Sequence, residues 1–109
     1  MQHAGYIRLL AALCTSVLVT GLALAEPTLV RQQELQHLLH DDCGACHGMT
    51  LKGGLGLPLT ADALRDKPDD LLITTILDGR AGTPMPPWRR FLSADEARWL
   101  VVQLKRGMP

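Results

Sequence analysis

Apolar residues recur at helical spacing in three segments of the chain. Residues 28–42 carry leucines one turn apart among glutamines and a glutamate, which predicts an amphipathic helix. Residues 68–78 contain LLITTIL, which is apolar almost all round and typical of a buried helix. Residues 94–106 begin at a capping box, Ser93 with Glu96, and bear two apolar strips, which implies two packing partners. No segment alternates like a β-strand, so the pattern predicts a small all-α fold.

Two loops rich in glycine or proline separate these segments. The first, residues 48–67, holds four glycines and one proline, and a short helical turn is expected between Asp62 and Asp66. The second, residues 80–92, holds three prolines around Met85. Proline fixes the φ angle of the backbone, so we expect this second loop to be stiff.

The N-terminus has the pattern of a cleaved secretory signal. A short basic region precedes an uncharged, mostly apolar stretch, and Ala23-Leu24-Ala25 provides small residues at a cleavage site. An uncleaved anchor is the alternative, but the stretch is short for a bilayer span. We therefore predict a signal peptide at residues 1–25 and a mature domain at residues 26–109, exported to the periplasm without a stable membrane anchor.

Composition narrows the range of functions. The 109 residues include 11 basic and 11 acidic side chains, so no basic excess points to nucleic-acid binding. After cleavage, Cys43 and Cys46 would be the only cysteines, in a compartment that oxidises thiols. A domain this small usually needs a disulfide, a metal or a cofactor to complete its core.

The segment Cys43-Gly44-Ala45-Cys46-His47, here called the cysteine motif, has three interpretations. A structural zinc site needs four ligands, and His37 or His40 would have to supply the fourth. A thiol-disulfide exchanger places its cysteine pair at the start of a helix in a βαβ unit, whereas this pair follows a helix. C-x-x-C-H is also the signature of covalent haem attachment. In that case the two sulfurs form thioethers and His47 ligates the iron.

A haem iron of this kind takes a sixth ligand, for which Met85 is the candidate. Its flanking prolines lower the entropy lost in holding the thioether across the haem. The alternatives are a methionine that merely fills the core, or ligation by His37 or His40. Met49 follows His47 too closely to reach the opposite face, and Met108 lies at the terminus.

On these segments the chain resembles the class I c-type cytochromes across the mature domain. The matching stretches are CGACHG, GLGLPL, DDLLITTILDGR, GTPMPPW and SADEARWLVVQLKRG. The resemblance implies three main helices wrapped around one covalent haem c. It also implies that the Pro58 carbonyl accepts a hydrogen bond from His47 and that Trp99 packs where the terminal helices cross. Candidate contacts of the haem propionates are Arg80, Trp88, Arg89 and Arg90.

The function expected is one-electron transfer by iron held between His47 and Met85, without catalysis. Its redox partners and the haem-ligation machinery would be its protein contacts. CGACHGMTLKGGLGLPLT and GRAGTPMPPW are similar to the small cytochromes that accompany cd-type nitrite reductase in denitrifying bacteria. This implies service to that enzyme or to maturation of its haem. A haem sensor or peroxidase-like protein with an open sixth position, and a zinc domain, remain alternatives. The expected pocket walls are Leu35, Leu39, Leu59, Leu72, Ile76, Phe91 and Leu100.

Overall fold

The computed structural model describes residues 24–108, and all regular structure in that range is helical. The elements are α1 (Leu29–Leu38), a π-helical turn (Leu39–Cys43), α2 (Gly44–His47), α3 (Ala61–Leu64), α4 (Asp69–Asp78) and α5 (Ala94–Lys105). The all-α prediction is confirmed, and α3 is the short turn expected after the glycines. The predicted signal peptide lies outside the described residues except for Leu24 and Ala25. No helix in the described range has the length and apolar character needed to cross a membrane.

The first helical segment is longer than the sequence pattern predicts. That pattern ends it at Asp42, whereas α1, the π-helical turn and α2 form one uninterrupted run over residues 29–47. The π-helical turn accommodates an extra residue because the N–H of Gly44 bonds the carbonyl of Leu39, five residues earlier. The cysteine motif therefore completes a helix instead of following one.

Local capping interactions fix where the helices begin and end. Thr28 Oγ1 accepts a hydrogen bond from the N–H of Arg31 at 3.3 Å at the start of α1. At the start of α5 the predicted capping box is present: the Glu96 N–H donates to Ser93 Oγ at 3.1 Å. The Ser93 N–H donates to Glu96 Oε2 at 2.8 Å. α4 ends at Gly79, whose φ of 69° lies in the left-handed region.

The core is one apolar cluster to which α5 contributes more residues than any other helix. α5 packs against α4 and α3, and its Leu100 and Val101 are almost fully buried together with Leu35 of α1. Trp99 is buried in the same cluster, as its expected packing role requires. Phe91 differs from the expectation, since it is 63% exposed. It follows Trp88 in a turn that leaves its side chain on the surface.

Candidate functional site

A cleft of about 560 Å³ opens between the cysteine motif, the loop that follows it, α4 and the loop that follows α4. Cys43, Cys46, His47 and Met85 all line this cleft. The volume is in the range of small-molecule and cofactor sites, which are typically apolar with a few polar groups. The other lining residues are Leu39, Asp42, Leu55, Gly56, Leu57, Pro58, Leu59, Leu64, Lys67, Leu71, Leu72, Thr75, Ile76, Arg80, Thr83, Pro84, Pro86, Trp88, Leu92, Leu100, Val101 and Leu104. Of the expected walls, Leu35 and Phe91 do not line it.

The imidazole of His47 is held by residues 48–60, here called the glycine loop. Its Nδ1 lies 2.7 Å from the carbonyl oxygen of Leu57 and donates to it when that nitrogen carries the proton. The expected acceptor, the carbonyl of Pro58, is therefore wrong by one residue. The residue before a proline is restricted to extended conformations, which limits the directions the Leu57 carbonyl can take. With Nδ1 bonded in this way, Nε2 is the nitrogen left to ligate a metal.

Glycines let the glycine loop lie directly against the cysteine motif. A Cβ atom at Gly56 would lie 2.6 Å from His47 Nδ1, and one at Gly54 would lie 2.7 Å from the Cys46 carbonyl oxygen. Backbone hydrogen bonds join the same segments. The N–H of Gly56 donates to Cys46 O and the N–H of Gly53 donates to His47 O, both at 2.8 Å. The sequence identifies the loop as glycine-rich but not Gly56 in particular, because the contact depends on how the loop folds back.

Met85 lies in residues 79–92, here called the methionine arm. The arm folds back onto the end of α4: the Trp88 N–H donates to a carbonyl of α4 at 3.0 Å. The Arg80 N–H donates to Met85 O at 3.2 Å. Gly79 permits this close approach, because a Cβ atom there would lie 2.7 Å from the same oxygen. Met85 is half-buried at the cleft. Backbone contacts hold the chain in place both before and after this residue.

Basic residues reach the cleft from two elements. Arg80 lines it, as does Trp88, and both are among the expected propionate contacts. The other two candidates do not line it: Arg89 pairs with a carboxylate of α4 at 2.6 Å, and Arg90 is exposed. Lys67 also lines the cleft. The sequence does not predict it as a propionate contact, because only the fold brings it to this position. Lys67 and Arg80 are the basic groups of the lining.

The Cys43 thiol is not activated. No disulfide joins the two cysteines of the motif; Cys43 is half-buried and Cys46 is exposed. Burial raises the pKa of the Cys43 thiol to about 11, and the neighbouring Asp42 carboxylate adds to the effect. A thiol-disulfide exchanger needs the opposite shift, toward a thiolate at neutral pH. Cys43 therefore lacks the activated thiol that the exchange interpretation would require of it.

The zinc interpretation lacks a ligand set. Within residues 24–108, no three His, Cys, Asp or Glu side chains converge where they could hold a metal ion. His37 and His40 are exposed and lie outside the lining of the cleft. His40 instead has its Nδ1 2.7 Å from the carboxylate of Asp41. Neither histidine is positioned to join His47 as a second ligand at the cleft.

Two thiols, an imidazole and a thioether at one apolar cleft are the groups that a covalently attached haem requires, so the residues present fit that cofactor. Residues 30–102 match the family model described as cytochrome c oxidase, cbb3-type, subunit III. The chain belongs to the c-type cytochrome family. It is an electron-transfer protein, not an enzyme, and carries covalently bound haem c with its iron.

Relatives place the chain near one small group of these cytochromes. It is 50% identical to cytochrome c55X of Pseudomonas aeruginosa over 106 residues, covering 97% of this chain and 87% of that protein. It is 51% identical to cytochrome c55X of Paracoccus denitrificans over 89 residues, covering 81% and 86%.

Two solved structures are also similar. The c-type cytochrome NirC is 56% identical with a TM-score of 0.74, covering 75% of this chain and 96% of that chain. The dihydro-heme d1 dehydrogenase NirN, in complex with DHE, is 31% identical with a TM-score of 0.62. That match covers 68% of this chain and 16% of NirN.

Proposed function

We propose that this protein is a periplasmic one-electron carrier whose haem is attached through Cys43 and Cys46 and ligated by His47 and Met85. The observation that carries the proposal is that these four residues line one apolar cleft although Met85 is far from the others in the sequence. When bound, the haem iron supplies the redox chemistry by alternating between Fe(II) and Fe(III). A thioether ligand favours a higher potential than a second histidine would.

The chain's own residues would orient and insulate that centre. The Leu57 carbonyl, 2.7 Å from His47 Nδ1, fixes the ring and increases the basicity of its other nitrogen. Apolar walls such as Leu72 and Ile76 lower the local dielectric, which favours the less charged, reduced state of the site. Arg80 and Lys67 are suited to neutralise haem carboxylates at the cleft.

The proposal extends to location and partners. The predicted signal peptide at residues 1–25 would export the mature domain, residues 26–109, to the periplasm, where the haem-ligation machinery would load it. The similarity to NirC and NirN supports a role in the nitrite reductase system. Because NirN is named as a dehydrogenase of dihydro-haem d1, electron delivery to cd-type nitrite reductase and maturation of its haem are both within the proposal.

Covalent attachment is tested first. The exported protein is denatured in alkaline pyridine and reduced with dithionite. Thioether-linked haem stays with the polypeptide and gives a haemochrome spectrum, whereas a zinc domain gives none. Replacing both cysteines with alanine should abolish this spectrum, and a colourless mature protein made beside a working ligation apparatus would refute the proposal.

Ligation by Met85 is tested by Met85→Ala, with Met49→Ala as the matched control. Met49 is 56% exposed and outside the cleft lining, so its loss should leave the spectrum unchanged. Met85→Ala should remove the absorption band of thioether-ligated Fe(III). Its potential should fall by on the order of 0.1–0.2 V, a part of the roughly 0.8 V that axial ligands span. A native protein that binds carbon monoxide freely would favour the sensor or peroxidase-like alternative with an open sixth position.

A further inference from the structure

One arginine, Arg31, joins three separate parts of the molecule. Its Nε donates to Glu96 Oε1 of α5 at 2.6 Å, and its Nη1 lies 2.8 Å from Glu34 Oε2 on its own helix. Its Nη2 donates to the carbonyl oxygen of Phe91 at 3.1 Å. Arg31 stands at the start of α1, whose helical run ends in the cysteine motif. A single guanidinium thus bonds this helix, α5 and the methionine arm.

The partners of Arg31 are themselves fixed. Glu96 Oε2 accepts the N–H of Ser93 in the capping box, so the carboxylate is shared between the cap and the guanidinium. The Arg31–Glu96 hydrogen bond lowers the pKa of Glu96 and raises that of Arg31, which keeps both groups charged. Charge-assisted hydrogen bonds of this kind are stronger than neutral ones. The side chain of Glu96 is only 20% exposed, which limits screening by solvent.

The bond to Phe91 reaches the methionine arm through a tight turn. The N–H groups of Phe91 and Leu92 both donate to the carbonyl of Trp88, at 2.9 and 3.0 Å. The rings of Trp88 and Phe91 are 5.9 Å apart between centroids. Trp88 lines the cleft and comes three residues after Met85. Arg31 therefore restrains the C-terminal side of the arm, while Gly79 and Arg80 restrain the side that precedes Met85.

We propose that Arg31 is a positioning residue for Met85, which holds the methionine arm against the helix that carries the cysteine motif. This inference rests on the proposed ligation by Met85. Without the guanidinium, the turn at Phe91 loses its bond to α1, and the arm can move away from the cleft more often. The visible consequence is easier replacement of the thioether by an added ligand, since an exogenous base binds only when Met85 has left.

The experiment measures the affinity of the oxidised, haem-loaded protein for imidazole. Arg31→Leu should bind imidazole roughly tenfold more tightly, the factor expected from loss of one charge-assisted hydrogen bond. Arg65→Leu is the matched control, because Arg65 is exposed and, among residues 24–108, its ion pair is with Asp62, three residues earlier. Arg31→Lys keeps the charge but not the planar fork that serves several acceptors, so it should give an intermediate affinity. It also serves as the second variant if Arg31→Leu folds poorly.

A double-mutant cycle with Met85→Ala separates positioning from general loosening. In the Met85→Ala background Arg31→Leu should leave imidazole affinity unchanged, because no thioether remains to be displaced. An equal increase in both backgrounds, or no increase in either, would overturn the role of Arg31. Retention of the thioether band in Met85→Ala alone would instead refute the proposed ligation, and the inference with it. The two failures are therefore distinguishable by the spectrum of one variant.

Discussion

The glycine loop and the methionine arm border the same cleft but are held by different means. The glycine loop lies against the cysteine motif through backbone hydrogen bonds of 2.8 Å and through glycines that leave no room for a side chain. The methionine arm also has backbone bonds to α4, but its restraints include prolines at positions 84, 86 and 87 and ties from other parts of the molecule. One of those ties, from Arg31, is a charged side chain.

This difference separates two physical ways to fix a ligand. Around His47 the protein restrains the ring by close packing of the glycine loop, since a Cβ atom at Gly56 would lie 2.6 Å from Nδ1. Around Met85 it limits the conformations of the chain and anchors the arm on α4 and, through Arg31, on α1. We expect an added methyl group to be most harmful beside His47, and changes in charge to be felt mainly at the methionine arm.

Gly56→Ala is expected to have the largest effect. The new Cβ would lie 2.6 Å from His47 Nδ1, so the ring or the loop must move and the bond to Leu57 is lost. Overpacking of this severity should lower the free energy of unfolding by on the order of 3 kcal/mol. Guanidinium unfolding of the loaded protein measures this, and the yield of attached haem should fall as well.

Gly44→Ala is the control for that experiment. Gly44 is also buried beside the cysteines, but its φ of −60° is helical, and the nearest atoms to a Cβ there, Cα and Sδ of Met49, would be 3.5 Å away. Alanine is a better helix former than glycine, so this variant should be unchanged or more stable by about 0.5–1 kcal/mol. If both variants unfold at the same denaturant concentration, close approach of the glycine loop does not fix His47.

The methionine arm is tested by Gly79→Ala against Gly82→Ala. Both glycines have positive φ angles, 69° and 73°, so both substitutions carry a conformational penalty of about 1–3 kcal/mol, and Gly79, with a ψ of −169°, lies in a region almost restricted to glycine. At Gly82 a Cβ meets nothing within 4 Å, whereas at Gly79 it would lie 2.7 Å from Met85 O. Gly79→Ala should therefore be less stable than Gly82→Ala by roughly 1–3 kcal/mol.

The same pair of variants reports on iron ligation. Gly79→Ala should weaken the absorption band of the thioether ligand, because relief of the clash moves the Met85 backbone away from α4. Gly82→Ala should retain the band at full intensity. If the two variants have equal bands and equal stabilities, the arm adapts at Gly79 without moving Met85. The proposed anchoring of the arm by the contact between Gly79 and Met85 would then be wrong.

Much of this fold could be predicted because its signals are local. The capping box at Ser93 needs only four consecutive residues, and the end of α4 needs only Gly79. The cysteine motif likewise carries its chemistry within five residues. Met85 is predicted from its flanking prolines and from the positions of the other methionines and histidines, and the fold brings it to the cleft that Cys43 lines.

The features that sequence reasoning missed depend on contacts between distant segments. The bond from His47 to Leu57, not Pro58, depends on the path of the glycine loop. In the sequence, Arg31 is one polar residue among several on an amphipathic helix. Its partner Glu96 lies 65 positions away, so the sequence does not reveal the pair. Lys67 reaches the cleft only because α4 begins beside it. Periodicity and motif spacing describe neighbouring positions in the sequence, so they do not predict contacts between distant segments.

The smallest effect is expected from acid acting on Glu96. Its pKa is lowered by the hydrogen bond from Arg31, with further help from Ser93. The stability it contributes is complete above the ordinary glutamate pKa of 4.5 and is lost as the pH falls through the lower value of the folded state. Glu96→Gln should therefore be less stable than the wild type by about 1 kcal/mol at pH 7, a value reduced by the partial exposure of Arg31.

Thermal unfolding between pH 7 and pH 3, followed with the thioether band, measures this difference. The gap between the two proteins should begin to narrow below pH 4.5 and close as the pH falls through the lower pKa of the folded state, where the wild-type carboxylate is protonated as well. The band should weaken at a higher pH in Glu96→Gln than in Gly44→Ala, which leaves the arm intact. The bonds that Gly53 and Gly56 of the glycine loop donate to the cysteine motif are between backbone groups, which do not titrate. A gap that stays constant down to pH 3 would show that the Glu96 charge does not hold the methionine arm, and the distinction between the two loops would then rest on steric contact alone.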